Sequence, residues 1–140
     1  MVEPYICNLG QLFARVAAQH ASRPALRGAD GHDVSYAELF AAACRIAHWL
    51  AARDIGRGAL VALQNGKGIQ GYAAMLACLM RGAAYATLDP NTPAERLTRI
   101  LSVCRPALVL ADVAPAEGIG AAARMVGAPL ASLAEAGLAG

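Results

Sequence analysis

Aromatic side chains are scarce in this chain: one Trp, two Phe and four Tyr among 140 residues. A core built from large rings is therefore excluded. Although 57% of the residues are hydrophobic, 34 of those are Ala. A modest set of Leu, Val, Ile and Met remains to fill an interior, enough for one domain burying about two-thirds of its unfolded surface. An excess of one charge is also missing. Twelve basic against ten acidic residues leave a net charge of +2, with no basic cluster, so no nucleic-acid partner is expected. The four cysteines, at 7, 44, 78 and 104, include no pair with the close spacing of a zinc site or redox motif.

Uninterrupted apolar runs of membrane length are absent too. Residues 69 to 88 come nearest to a span, but Arg81 breaks the run with a Gly beside it. A mid-span Arg costs about 2.5–3.5 kcal/mol even on a lenient insertion scale. A buried helix followed by a buried strand accounts for the same residues, and no membrane contact is expected. The N-terminal "MVEPYICNLG" has an early acid and no basic n-region, so no signal peptide is expected. Cys44, Cys78 and Cys104 fall on apolar helical faces, as buried small hydrophobes in a reducing compartment would; the expected location is cytoplasmic. Neither the phosphate-loop pattern G-x-x-x-x-G-K-[ST] nor a G-x-S-x-G elbow occurs. His20, His32 and His48 belong to a helix end, a hairpin and a helical surface, so none is assigned a catalytic role.

What is present is an orderly alternation. Asn8, with Gln11 three residues on, opens a first helix whose apolar face is Leu9, Leu12, Phe13, Val16, Ala17 and His20. "SRPAL" stops it before Pro24. "ALRG" and "HDVS" around "ADG" read as a short hairpin. Ser35 and Glu38 form a capping box for a second helix, with Leu39, Ala43, Ile46 and Leu50 on one side. Then come "ALVAL", a helix over 67–82 stopped by Gly82, "AAYATL", a helix opened by Thr92, Pro93 and Glu95, and "ALVLA". A helix over 116–126 and a weak strand over 129–133 complete the chain. Strands alternating with helices over short connections predict an α/β fold, a parallel sheet flanked by helices.

Ligands of such sheets sit beyond the carboxyl ends of the strands. One loop there, "NGKGIQG", places Gly66, Gly68 and Gly71 between a strand and a helix, and Asp89 lies 18 residues beyond Gly71. That spacing matches a dinucleotide fingerprint. Against it, Gln64 and Asn65 intervene before the first Gly, and a hairpin and two helices precede the unit. Asp89 also has a turn-forming reason to stand before Pro90. Lys67 reads as a solvated helix-start residue. Asp112 ends a strand, as a turn former or a ligand.

The residues "VSYAELFAAACRIAHWLAARDIGRGALVAL", "LMRGAAYATLDPNTPAERL" and "CRPALVLAD" closely resemble the start of the adenylate-forming (AMP-binding) superfamily. The likeness is nearest to amino-acid-activating adenylation domains of nonribosomal peptide synthetases. The family's Leu-Thr-Tyr-x-Glu-Leu segment is carried by Val34, Ser35, Tyr36, Glu38 and Leu39. Its Leu-Lys-Ala-Gly-x-Ala-Tyr-Val-Pro-Leu-Asp-Pro segment is carried by Leu79, Gly82, Ala84, Tyr85, Leu88, Asp89 and Pro90. Ala86-Thr87 stand where Val-Pro is usual, and Met80-Arg81 where Lys-Ala is usual.

The resemblance implies that residues 1–112 are part of an N-terminal subdomain, and that 113–140 are an Ala- and Gly-rich, truncated continuation of it. It implies a ligase that adenylates a carboxylate with ATP and Mg. The family's phosphate loop, substrate pocket and catalytic Lys lie further along than these segments. No catalytic, cofactor-binding or metal residue is therefore assigned within this chain, which is expected to be inactive alone. Its partner would be the remainder of an adenylation domain or a synthetase. The alternatives are a small nucleotide-binding module using the Gly66-Gly68-Gly71 loop, or a non-catalytic interaction domain docking on a synthetase.

Overall fold

In the computed structural model, residues 8–138 are described; the first seven residues of the N-terminal stretch read for a signal peptide, Cys7 among them, lie outside. The order is α1 (Leu9–Gln19), β1 (Pro24–Arg27), β2 (Asp33–Ser35), α2 (Tyr36–Ala51), β3 (Leu60–Gln64), α3 (Ile69–Arg81), β4 (Ala84–Leu88), α4 (Ala94–Cys104), β5 (Leu108–Ala111), α5 (Glu117–Val126) and β6 (Leu130–Ser132). β1 and β2 form the antiparallel hairpin. The other strands make one parallel sheet in the order β4-β3-β5-β6.

Alternation along the strands explains the two cores. Val61 and Leu63 of β3, with Leu108 and Leu110 of β5, face α2 and α3. Ala62 and Val109, one residue out of phase, face α4 and α5 with Leu88, Leu97, Leu101 and Ile119. Between α2 and α3 the contact is made largely by alanines: Ala42, Ala43 and Ala47 against Ala73, Ala74 and Ala77, all buried. Small residues let the two helices approach closely. Ile46 and Leu50, fully buried, supply the larger burial, each about 1.5–3 kcal/mol. No helix among the described residues is long and apolar enough to cross a membrane.

The helix ends mostly follow their local signals. Ser35 Oγ accepts from the Glu38 amide, and the Glu38 carboxylate accepts from the Ser35 amide at 2.8 Å, completing the capping box. These bonds to Ser35 hold the Glu38 carboxyl below its ordinary range. Gly82 ends α3 in the left-handed region, φ 73°. α4 departs from expectation by one residue: Pro93, not Thr92, is its cap, and no side chain caps it. The Thr92 amide is already committed to the carbonyl of Asp89 at 3.0 Å. Glu95 instead pairs with Arg99 at 2.7 Å, an exposed contact worth about 0.3–0.5 kcal/mol.

The face of α1 is also rotated relative to the sequence pattern. Leu9 and Leu12 are exposed, while Gly10 and Ala17 are buried and Phe13 packs on the first core. The cause is Gly10, where a Cβ would lie 2.6 Å from the Met80 backbone nitrogen. Its absence lets α1 sit directly on α3, and Asn8 Nδ2 ties the two by donating to the Leu79 carbonyl at 2.9 Å. Phe13 then meets Tyr36 and Phe40 at 5.9 and 6.3 Å between ring centres.

Of the cysteines expected inside, Cys78 is fully buried but Cys44 and Cys104 are only half-buried. Cys104 is the last residue of α4. Burial pushes the Cys78 thiol up to about 12, so it is neutral in the folded chain. Iodoacetamide at pH 8 is expected to alkylate Cys44 and Cys104 in the native protein and Cys78 only after denaturation. Peptide mass spectrometry reads this directly, and rapid native labelling of Cys78 would contradict its placement. Because the folded thiol titrates above its ordinary 9.0, its contribution to stability is complete below that value. It is lost as pH rises from there through about 12.

Candidate functional site

The strand order reverses direction at β3. The chain moves from β3 to β4 on one side, then returns past β3 to β5 and β6 on the other. The carboxyl ends of β3 and β5 therefore border a topological switch point, where open α/β sheets bind ligands. Three buried polar residues stand at this end of the sheet, Gln64, Asp112 and Ser132, at 4%, 2% and 2% exposure. Each follows or ends an apolar strand run.

All three are bonded to backbone groups of the neighbouring loops. Asp112 Oδ2 accepts from the Gly66 amide at 2.6 Å, and Oδ1 accepts from the Val113 amide at 3.0 Å. Gln64 Nε2 donates to the Ala114 carbonyl at 3.1 Å, and its Oε1 accepts from the Ala116 amide at 2.8 Å, at the start of α5. Ser132 Oγ donates to the Val113 carbonyl at 3.2 Å. Buried polar groups are costly unless paired. Here the pairing also fixes the course of residues 113–116 across the strand ends.

The glycine loop is shaped by the same bonds. Asn65 Oδ1 accepts from the Lys67 amide at 2.6 Å, a turn that holds Lys67 at φ 65°. Gly71, in the first turn of α3, leaves the space that the Asn65 carboxamide occupies, and a Cβ there would also meet Asp112 Oδ2 at 3.0 Å. A Cβ on Gly66 would come within 3.2 Å of the same carboxylate. Gly68 faces open space at φ −88°. Two of the three glycines thus make room for the chain's own side chains. The Gly66 and Lys67 amides, which a bound phosphate would need, are already bonded within the chain.

Beside the loop lies an open cleft of about 610 Å³, lined by Asn65, Gly66, Lys67 and Tyr72 on one side and Thr87 to Asn91 on the other. Asp89 is exposed there, and its Oδ1 accepts from the amide and side chain of Asn91 at 2.9 and 3.1 Å. Asp89 therefore shapes the Leu-Asp-Pro corner from within. Lys67 is exposed at the cleft edge. His20 caps the end of α1, His32 sits on the hairpin and His48 on the exposed side of α2; the structure does not bring them together. Among the described residues, no group of three or more His, Cys, Asp or Glu is arranged to hold a metal ion. With one exposed lysine and a carboxylate on the loop amide, these residues do not fit a metal-bound triphosphate, whose charge requires converging cations and donors.

Gln64 and Ser132 carry no role in the sequence reading, yet they organise this end of the sheet. The available signal was their position: each is a polar residue closing an apolar strand run, "LVALQ" and "LAS".

This architecture and its sequence place the chain in the family of AMP-binding enzymes, whose model matches residues 13–135. Among related proteins, an isonitrile lipopeptide synthase of Streptomyces coeruleorubidus is 43% identical over 109 residues, which cover 78% of this chain and 7% of that protein. A probable non-canonical nonribosomal peptide synthetase of Salinispora arenicola is 40% identical over 110 residues, covering 77% of this chain and 1% of that protein. The chain thus spans only a small part of the curated relatives it matches. Among solved structures, ATP-bound MatB from Rhodopseudomonas palustris superposes with a TM-score of 0.73 at 32% identity, over 90% of this chain and 25% of that one. A benzoate CoA ligase from Burkholderia xenovorans shares the fold at a TM-score of 0.80 and 19% identity, over 91% of this chain and 26% of that one.

Proposed function

We propose that this chain is the opening part of an amino-acid-activating adenylation domain of a nonribosomal peptide synthetase, working in the cytoplasm. Its contribution is a scaffold: a parallel sheet and its helices, on which the remainder of the domain assembles. The observation that carries this reading is the 43% identity to a lipopeptide synthase over 109 residues. That stretch is matched together with a family model spanning both the Tyr36 segment and the Tyr85–Pro90 segment.

In this reading the complete enzyme activates a carboxylate with ATP and Mg, and both are held by residues beyond those of this chain. The partner is the rest of the adenylation domain or of its synthetase. Consistent with that division, the polar residues at the switch point bond to the chain's own loops. Amino-acid-dependent exchange of pyrophosphate into ATP is the test. The purified chain alone is expected to stay at background for all twenty amino acids. The same chain supplied with the later part of a related adenylation domain is expected to give exchange. Activity of the isolated chain that a substitution in this chain abolishes would overturn the assignment.

A further inference from the structure

We infer that the groove between α2 and the end of α3 is a binding site for a soft monovalent metal ion, Cu(I), held by Cys44, His48 and Met80. These three residues, with Ala47, Ala51 and Arg81, line an open groove of about 250 Å³. It lies toward the end of the sheet where β3 and β4 begin, away from the glycine loop. Cys44 and His48 stand four residues apart on α2, the spacing that puts two helical side chains on one face. Helical side chains lean toward the N-terminus, so His48 leans over the turn that carries Cys44. Met80 comes from the last turn of α3, which the alanine contact draws close to α2. The groove thus collects a thiol, an imidazole and a thioether, with both sulfur residues half-buried. None of its lining residues is a carboxylate.

That donor set selects the ion. Thiolate and thioether sulfurs are soft ligands that prefer Cu(I), whereas Mg²⁺ and Ca²⁺ take oxygen. Zn²⁺ would need a fourth ligand, and charge argues against it. Cys44 gives up its proton on binding, so thiolate and Cu(I) together are neutral, as an alanine-walled groove favours. A divalent ion on the same ligands would keep a net positive charge beside Arg81. That guanidinium is held in place, its Nε donating to the Ile55 carbonyl at 3.1 Å. The thiol of Cys78 is fully buried and pushed up to about 12, so it does not compete for the ion. The site stands apart from the switch point and is independent of the adenylation reading.

Cu(I) is titrated anaerobically, with bicinchoninate as the competing chelator, into the full chain carrying C7S and C104S, so that Cys44 is the accessible thiol. One Cu(I) per chain is expected to be withdrawn from the chelator, and C44S is expected to abolish the withdrawal. H48Q and the near-isosteric M80L should each weaken binding by at least the roughly tenfold that loss of even an outer partner costs a metal site. In protein labelled with methyl-¹³C methionine, the Met80 methyl resonance is expected to move on Cu(I) addition, while those of Met75 and Met125 stay. That shift is read with all three ligands intact, so it decides the case even where a variant fails to fold. An unmoved Met80 methyl, or no withdrawal of Cu(I), overturns the proposal. So does an affinity unchanged when H48Q and M80L are combined, which would reduce the site to a bare thiol. One ion bridging two chains, or Zn²⁺ held more tightly than Cu(I) by the same residues, overturns it as well.

Discussion

Leu110→Ala is expected to destabilise the chain by about 2–5 kcal/mol, the range for removing a fully buried Leu and leaving a cavity. Leu110 is fully buried in the second-from-edge strand β5, opposite Leu63 in register, and belongs to the core beneath α2 and α3. That core has little to collapse into the gap. Its helix–helix contact is mostly alanine, and none of the aromatic rings among the described residues is fully buried. The large, fully buried side chains are few aliphatic ones: Ile46, Leu50, Leu63, Leu110 and Leu133 on this side of the sheet. Against a typical net stability of about 5–15 kcal/mol, one such loss removes a large fraction. Urea titration should show a lower midpoint at unchanged slope. Val103→Ala, on the outer face of α4 at 83% exposure, is the control and should stay within about 0.5 kcal/mol. Equal effects of the two substitutions would mean that the interior is not packed as described.

The elements of this fold were legible because each strand is a short apolar run between turn residues, and each helix repeats its apolar positions at helical spacing. Even the weak segments "GIGAAARMV" and "LAS" are a helix and a strand. Sheet order was not legible. Nothing local in "ALVAL", "AAYATL" and "ALVLA" says that the first is flanked by the other two; Ala84 and Thr87 mark β4 as an edge only by their exposure. Periodicity also misplaced the face of α1, because Gly10 contributes nothing to a hydrophobic pattern yet decides how closely α1 approaches α3. The start of α4 moved for a related reason. The Thr92 amide serves the Asp89 corner, a tertiary commitment invisible in the capping pattern. At the strand ends, Asp112 and the glycines were visible as candidates. Their mutual bond was not, since 46 residues separate Asp112 from Gly66.

The two glycines of the loop's helix side should respond to the same substitution with very different losses of stability. Gly71→Val is expected to cost about 2–4 kcal/mol, combining an overpacked interior site with a lost hydrogen bond. Its new Cβ would overlap the Asn65 carboxamide and press on Asp112 Oδ2 at 3.0 Å. Asn65 would have to leave its rotamer, releasing the Lys67 amide that it now holds. The Gly66 amide bond to Asp112 would be strained with it. Gly68→Val meets nothing within 4 Å, and φ −88° suits any residue; only the modest loss of a good helix cap remains, about 0.5–1 kcal/mol. A nucleotide-binding loop would behave differently. There the middle glycine faces the pyrophosphate, and Gly68→Val would abolish binding. Melts of the two variants should therefore separate widely, with Gly71→Val the less stable. Calorimetry should find no saturable binding of NAD or ATP at sub-millimolar concentration, in wild type or in Gly68→Val. Binding by wild type that Gly68→Val removes, with the two melts alike, would show that the loop serves a ligand rather than the fold.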